Sequence, residues 1–168
     1  NNRILITGGA GFIGSHLCDY LLDYGYEVIV IDNMSSGHKK NIANIIDNID
    51  FYENDIEAFE LSQLEKIDCV VHLAAQTSVP KSISHLNSSS SSNLIGFINI
   101  LNFCRVSSVP LVFASSAAVY GNLPFGDDAT DNVELLSPYA VDKYAMELYA
   151  KMANSIYGLS SIALRFFN

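Results

Sequence analysis

The sequence predicts an α/β fold, a doubly wound parallel sheet with helices on both faces. Three observations lead to it. Apolar runs alternate with helical patterns from one end of the 168 residues to the other. Several of these runs are nearly continuous in Val, Ile, Leu and Phe, as expected of parallel strands covered on both faces. Their order is strand, helix, strand, repeated, which is the order of parallel crossovers. A chain of this length is expected to hold one domain, and it can bury about 68–70% of its unfolded surface.

Strands are expected at residues 4–7, 28–31, 50–52, 69–73, 111–114 and 161–165. The first helix, residues 12–24, places Ile13, Leu17, Leu21 and Tyr24 at helical spacing, a stripe expected to face the core. Gly25 then fits a helix stop. Residues 94–106 read as a second long helix. Pro138–Tyr157 read as a third, with Ser137 as its cap and Pro138 at the first helical position, where no N–H is missed. Residues 87–93, five serines between two asparagines, break the pattern. Serine hydroxyls compete for backbone hydrogen bonds, so a solvated loop or frayed helix start is expected there.

Acidic residues outnumber basic ones 18 to 9, for a net charge of −9. That balance argues against a nucleic-acid or anionic-membrane binder, since no basic surface is available to hold phosphates in bulk. It leaves room for one small phosphate site made of backbone amides. With 49% hydrophobic residues, the chain is not expected to be disordered. Cys18, Cys69 and Cys104 are widely spaced and lie in apolar runs, so free buried thiols are expected, with neither a disulfide framework nor a metal site. No apolar stretch approaches the roughly 20 residues of a membrane span and no signal peptide is evident; a cytoplasmic protein is the default. The chain begins without Met and stops at Asn168 directly after an apolar run, which reads as a cut.

After the first strand come Thr7, Gly8, Gly9, Ala10, Gly11, Phe12, Ile13 and Gly14, a sequence that satisfies both GxxGxxG and GxGxxG spacing. Glycine serves where the backbone turns with positive φ and where it must approach a pyrophosphate without a Cβ in the way. The helix opening at Phe12 would present free N–H groups and a positive dipole end to that phosphate. A strand before, a helix after and an acid ending the next strand are the context such a motif requires. The acid is Asp32, near the usual offset of about 20 residues. A carboxylate there accepts hydrogen bonds from ribose hydroxyls and repels a 2′-phosphate, which favours NAD over NADP. Lys39 and Lys40, which could serve such a phosphate, lie several residues past the turn.

Tyr139 and Lys143 are four residues apart and share one helix face. A lysine cation beside a phenol favours the phenolate, which makes Tyr139 a candidate general acid/base. The run Leu111 to Gly121 is a buried strand that ends in hydroxyls, at the end of the sheet where ligands bind in open α/β folds. Ser116 there could bond a substrate hydroxyl and Tyr139 together.

Thr7–Ser15, Asp32, Ser115–Gly121 and Tyr139–Lys143, in this order, resemble the extended short-chain dehydrogenase/reductase family, a Rossmann-type fold. Within it the chain is similar to NAD-dependent nucleotide-sugar epimerases working at C4 of UDP-glucose or UDP-N-acetylglucosamine. The resemblance implies a cofactor site of Gly8, Gly11, Phe12, Ile13, Gly14, Asp32 and Asn33. It places Asp55 and Ile56 at the adenine, and Leu73, Ala74 and Ala75 along the cofactor. Asn93 would touch the cofactor, as would Tyr139 and Lys143, and Phe167 would lie at the nicotinamide. Ser116, Tyr139 and Asn168 would contact the UDP-sugar, with Ser116, Tyr139 and Lys143 catalytic. His72 is read as a packed strand residue. The resemblance also implies a C-terminal substrate domain, missing here, and a homodimer through helices 94–106 and Pro138–Tyr157 when full length. Related dehydratases carry an acid just after the Ser/Thr, where this chain has Ala117 and Ala118. Loss of water requires an acid for the departing hydroxyl, so epimerisation is expected. Another NAD-dependent nucleotide-sugar enzyme, or an inactive NAD-binding fragment, is the alternative.

Overall fold

The computed structural model describes residues 2–124, 126 and 132–167. Six strands form one sheet: β1 (Arg3–Thr7), β2 (Glu27–Asp32), β3 (Asp50–Glu53), β4 (Cys69–His72), β5 (Leu111–Ser116) and β6 (Ser161–Phe166). Their order is β3-β2-β1-β4-β5-β6, with every pairing parallel. The order reverses between β1 and β4, so a crevice opens there at the carboxyl ends of the strands. Alternation along β1 supplies both faces. Leu5 joins Ile29, Val70, Phe97, Leu111, Phe113 and Met146 in one apolar layer, and Ile4 and Ile6 join Cys18, Val28, Val30 and Ile42 in the other.

The helices are α1 (Phe12–Asp23), α2 (Val79–Ser84), α3 (Leu86–Ser90), α4 (Gly96–Ser107) and α5 (Pro138–Tyr157), with a π turn at Ser91–Ile95 joining α3 to α4. The expected cap of α5 is present: the Ala140 N–H donates to Ser137 Oγ at 3.1 Å. Gly25 ends α1 at φ +79°. All three cysteines are free, and burial pushes the Cys18 and Cys104 thiols up to about 12.

Two expectations are corrected. The core stripe of α1 is misplaced, because Ile13 is 46% and Tyr24 68% exposed while Gly14, Ser15 and Cys18 are buried. A Cβ on Gly14 would collide with the Gly8 carbonyl oxygen and lie 2.7 Å from Gly9 Cα. The helix therefore meets the sheet through its small residues, with Leu17, Leu21 and Leu22 only partly covered. The serine run is helical, not a loop. Tertiary bonds offset its low propensity: Ser90 Oγ donates to both Asp142 carboxylate oxygens, at 3.1 and 3.0 Å, and Ser92 Oγ to Glu57 at 3.4 Å. Ser89 is buried and accepts from Gln76 Nε2 at 3.0 Å.

Candidate active site

The cleft begins at the glycine loop. Gly8 has φ +75°, and a Cβ there would stand 2.7 Å from the Ala74 nitrogen, so only glycine fits between β1 and the chain leaving β4. Gly11 takes the cap position of α1 without a side-chain cap, and no acid lies in the first turn. The first main-chain donor of α1 spent within the helix is Ser15, whose N–H reaches the Gly11 carbonyl at 3.0 Å. The N–H groups ahead of it are left for an anion, with the helix dipole behind them.

Asp32 closes this end. Its carboxylate accepts from the Ala10 N–H at 2.9 Å and from the Met34 N–H at 2.8 Å. The acid thus braces the glycine loop and its own turn. Two oxygens offer about four acceptor positions, so two remain, and the residue lines the cleft. Lys39 pairs with Glu53 at 3.1 Å. Asn33, Asn54, Ile56 and Glu57 continue the wall. Asp55 stands behind it, accepting from Asn33 Nδ2 at 2.6 Å.

From here a cleft of about 780 Å³ runs across the crevice to the ends of β5 and α5. Leu73, Ala74 and Ala75 form its floor, with Phe12, Ile13 and Gly14 at its near end. The floor is held from below. Thr7 Oγ1 accepts from the Ala74 N–H at 3.2 Å and lies 2.7 Å from His72 Nδ1. His72 is buried away from the cleft, and burial, aided by the Lys143 charge, drives its pKa down to about 3. It is a packed residue, as expected. Asn93 is buried too: its Oδ1 accepts from the Gln76 N–H at 2.7 Å and its Nδ2 donates to the Gln76 carbonyl at 3.0 Å. Its side chain is spent on the loop that walls the cleft.

At the far end Ser116, Tyr139 and Lys143 line one wall together. Lys143 is buried and its Nζ donates to the Ala114 carbonyl at 2.8 Å. Burial lowers its pKa to about 8, against the pull of neighbouring Asp142. Its ammonium stands 5.8 Å from the Tyr139 ring centre. Burial raises the Tyr139 phenol, and a hydrogen bond with the Ser116 hydroxyl opposes that rise.

Sequence spacing brings together most of the residues it nominated and misses others. Phe166, not Phe167, lines the cleft. Phe167 is 70% exposed and stacks on Tyr120, with ring centres 5.9 Å apart, because successive residues at a strand end face opposite ways. Asn168 lies outside the described residues. Ser35, Ser36 and Gly37 line the adenine-side mouth and Lys81 the opposite rim. The Ser-Ser-Gly turn signal after Asp32 could have flagged the first group; nothing in the pattern flags Lys81.

Residues 4–168 match the family described as the NAD dependent epimerase/dehydratase family. A putative UDP-glucose 4-epimerase of Methanocaldococcus jannaschii is 40% identical over 173 residues, covering 98% of this chain and 55% of that protein. A structure of the UDP-N-acetylglucosamine 4-epimerase from Methanobrevibacter ruminantium M1, in complex with UDP-N-acetylmuramic acid, superposes with a TM-score of 0.92 at 36% identity, over 100% of this chain and 55% of that one. The UDP-glucose 4-epimerase of Thermus thermophilus in complex with NAD superposes with a TM-score of 0.84 at 38% identity, over 97% and 54%. The chain therefore spans about half the length of the relatives it matches.

Proposed function

The chain belongs to the NAD dependent epimerase/dehydratase family, and from that premise we propose that it is the NAD-binding part of an enzyme inverting C4 of a UDP-sugar. The substrate pair is UDP-glucose and UDP-galactose, or their N-acetylhexosamine counterparts. One observation carries the reading: a single cleft joins a phosphate-sized glycine cradle and a ribose-reading acid to a tyrosine, lysine and serine at its other end.

The residues fit a dinucleotide. Gly8 and Gly14 permit the close backbone approaches that shape the loop, the leading α1 N–H groups are free to meet an anion, and Asp32 retains acceptor positions while standing against a 2′-phosphate. NAD, when bound, supplies a reversible acceptor for a hydride. Phe166 takes the place that the resemblance gave to Phe167 beside the reacting ring. Lys143 holds the ribose, and its depressed pKa lets it give up or keep its proton near working pH. Tyr139 accepts the proton of the sugar's 4-hydroxyl, and Ser116 bridges the two and fixes the hydroxyl. The C4 hydride would pass to bound NAD as Tyr139 takes the hydroxyl proton, and return of both to the other face of the 4-keto sugar would invert C4 with no net oxidation.

Ala117 and Ala118 also line the cleft and present methyl groups where a dehydratase requires an acid, which supports epimerisation over loss of water. The remaining sugar and uridine contacts belong to a substrate domain following residue 168, with Asn168 among the substrate contacts. Exposed Val106 on α4 and Val141, Leu148 and Ile156 on α5 support a homodimer through those two helices. The reading places the enzyme in the cytoplasm. Among the described residues no helix is long and apolar enough to cross a membrane.

The test is to incubate the protein carrying this chain with UDP-glucose and with UDP-N-acetylglucosamine, without added cofactor, and to follow the sugar protons by NMR. Galacto-configured product from either sugar supports a 4-epimerase with retained NAD and identifies its substrate. Protein that holds NAD yet converts neither sugar moves the function to another reaction.

A further inference from the structure

The catalytic helix meets β5 at three consecutive turns of one face. Tyr139 stands with Ser116 in the cleft wall. Lys143, four residues on, reaches the Ala114 carbonyl at 2.8 Å. Glu147, four further, accepts from Ser115 Oγ at 2.5 Å. The first two rungs carry the groups already given to catalysis; in the third, Ser115 lines the cleft but Glu147 does not. Glu147 is also the anchor of β6. Arg165 Nε donates to Glu147 Oε1 at 2.9 Å and its Nη2 to Oε2 at 2.7 Å, a two-point pairing in which both side chains are only 15% exposed. Arg165 lies opposite Ser115 in the β5–β6 register, so one carboxylate joins α5, β5 and β6. The Arg165 guanidinium in turn stands 4.8 Å from the Tyr120 ring centre, in the turn that follows Ser116.

We propose that Glu147, held by Arg165 and Ser115, is a positioning residue that sets where α5 sits along β5 and so delivers Lys143 and Tyr139 to the cleft. A helix tied only at its first two turns could slide or roll. A planar, two-point Arg–carboxylate pair fixes orientation as well as distance. The role in turnover rests on the epimerase reading; the mechanical role does not.

Two readouts separate them. In this chain, the side-chain carbon of Lys143 next to its amine is titrated by NMR. Lys143 is faced by Tyr139 and Asp142 on its own helix and by His72 on β4, and each of these stays in place in the variants. With Glu147→Ala, loss of the third rung frees Lys143 from its buried station, and its midpoint climbs from about 8 towards its ordinary 10.5. Ser115→Ala, which keeps the Arg165 pair, moves it less, and Glu147→Gln, which keeps an acceptor for Ser115, restores part of the change. In the protein carrying this chain, Glu147→Ala lowers kcat by about 10²-fold, the cost of a misplaced reacting group, with KM for the UDP-sugar and retained NAD unchanged. A Lys143 titration identical in folded Glu147→Ala and wild type overturns the proposal, and so does unchanged kcat in a protein that turns over. If Glu147→Ala does not fold, an unmoved titration in Ser115→Ala overturns it equally. A moved titration in a protein that converts no sugar keeps the clamp and removes the epimerase reading.

Discussion

At the β1–α1 end of the cleft the working groups are main-chain atoms, whereas at the β5–α5 end they are side chains. The first end consists of glycines, helix N–H groups and one carboxylate whose bonds run to backbone donors at 2.9 and 2.8 Å. It is tied across neighbouring elements, the Gly8 N–H to the Ile31 carbonyl at 2.8 Å and the Ala10 N–H to Asp32 at 2.9 Å. At the second end, Lys143 and Glu147 are placed by partners about 30 residues away on another element, as the Lys143–Ala114 and Ser115–Glu147 bonds show. In the proposed function, holding a nucleotide and moving a proton fall to separate constructions in one cleft, and substitutions should separate them.

The largest separation is expected from Tyr139→Phe. It removes the group proposed to take the sugar proton and should cost about 10²–10⁴-fold in kcat, while bound NAD, counted after denaturing the protein, stays stoichiometric. Loss of NAD together with turnover would break the division. Gly14→Ala should do the converse. Its methyl would meet the Gly8 carbonyl and Gly9 Cα, so the loop must shift, at about 1–3 kcal/mol of stability by denaturant unfolding. NAD affinity should fall about tenfold, the loss of about 1.4 kcal/mol of phosphate contact at the displaced loop, with Lys143 titrating as before.

How much of this was legible in the sequence follows the same division. The sheet, the glycine loop, Asp32 and the Tyr139–Lys143 face were readable because each depends on spacing within one segment. The serine run was misread because propensity alone was available; Ser90 and Ser92 are helical by virtue of Asp142 and Glu57, far away in the chain. Asn93 was recognisable as special, yet its grip on the Gln76 main chain required the fold. Glu147 and Arg165 carry no pattern within one segment that marks them, because their pairing requires β5 and β6 to come together. Ile13 and Tyr24 fit the periodicity of a buried stripe, but the close approach at Gly14 sets the rotation of α1.

Two smaller effects sharpen the comparison. Asp32→Asn removes the charge and replaces one of the two acceptor oxygens, which take the Ala10 and Met34 N–H groups, with an amide donor, so the preference for NAD over NADP should shrink by about tenfold, the lower end of what a hydrogen bond to a charged group contributes. Isothermal titration with both cofactors measures it, and Tyr139 chemistry should not respond. His72, beneath both regions, predicts a shared acid lability. Its folded pKa of about 3 lies below the ordinary 6.5. The unfolded chain therefore binds more protons across that window, and the stability this residue contributes is complete above 6.5 and lost as pH falls towards 3. Melting temperature should drop more steeply from pH 7 to pH 5 in wild type than in His72→Asn. Equal slopes would mean that the buried imidazole carries no such linkage.

The central claim, that this chain by itself builds an NAD site whose binding is independent of its proton-transfer end, is tested most directly by calorimetric titration of the 168-residue chain with NAD and NADP. Wild type and Tyr139→Phe should bind NAD alike, both should bind NADP more weakly, and Gly14→Ala should lose NAD. Equal affinity for the two cofactors, or loss of NAD on changing Tyr139, would contradict the account.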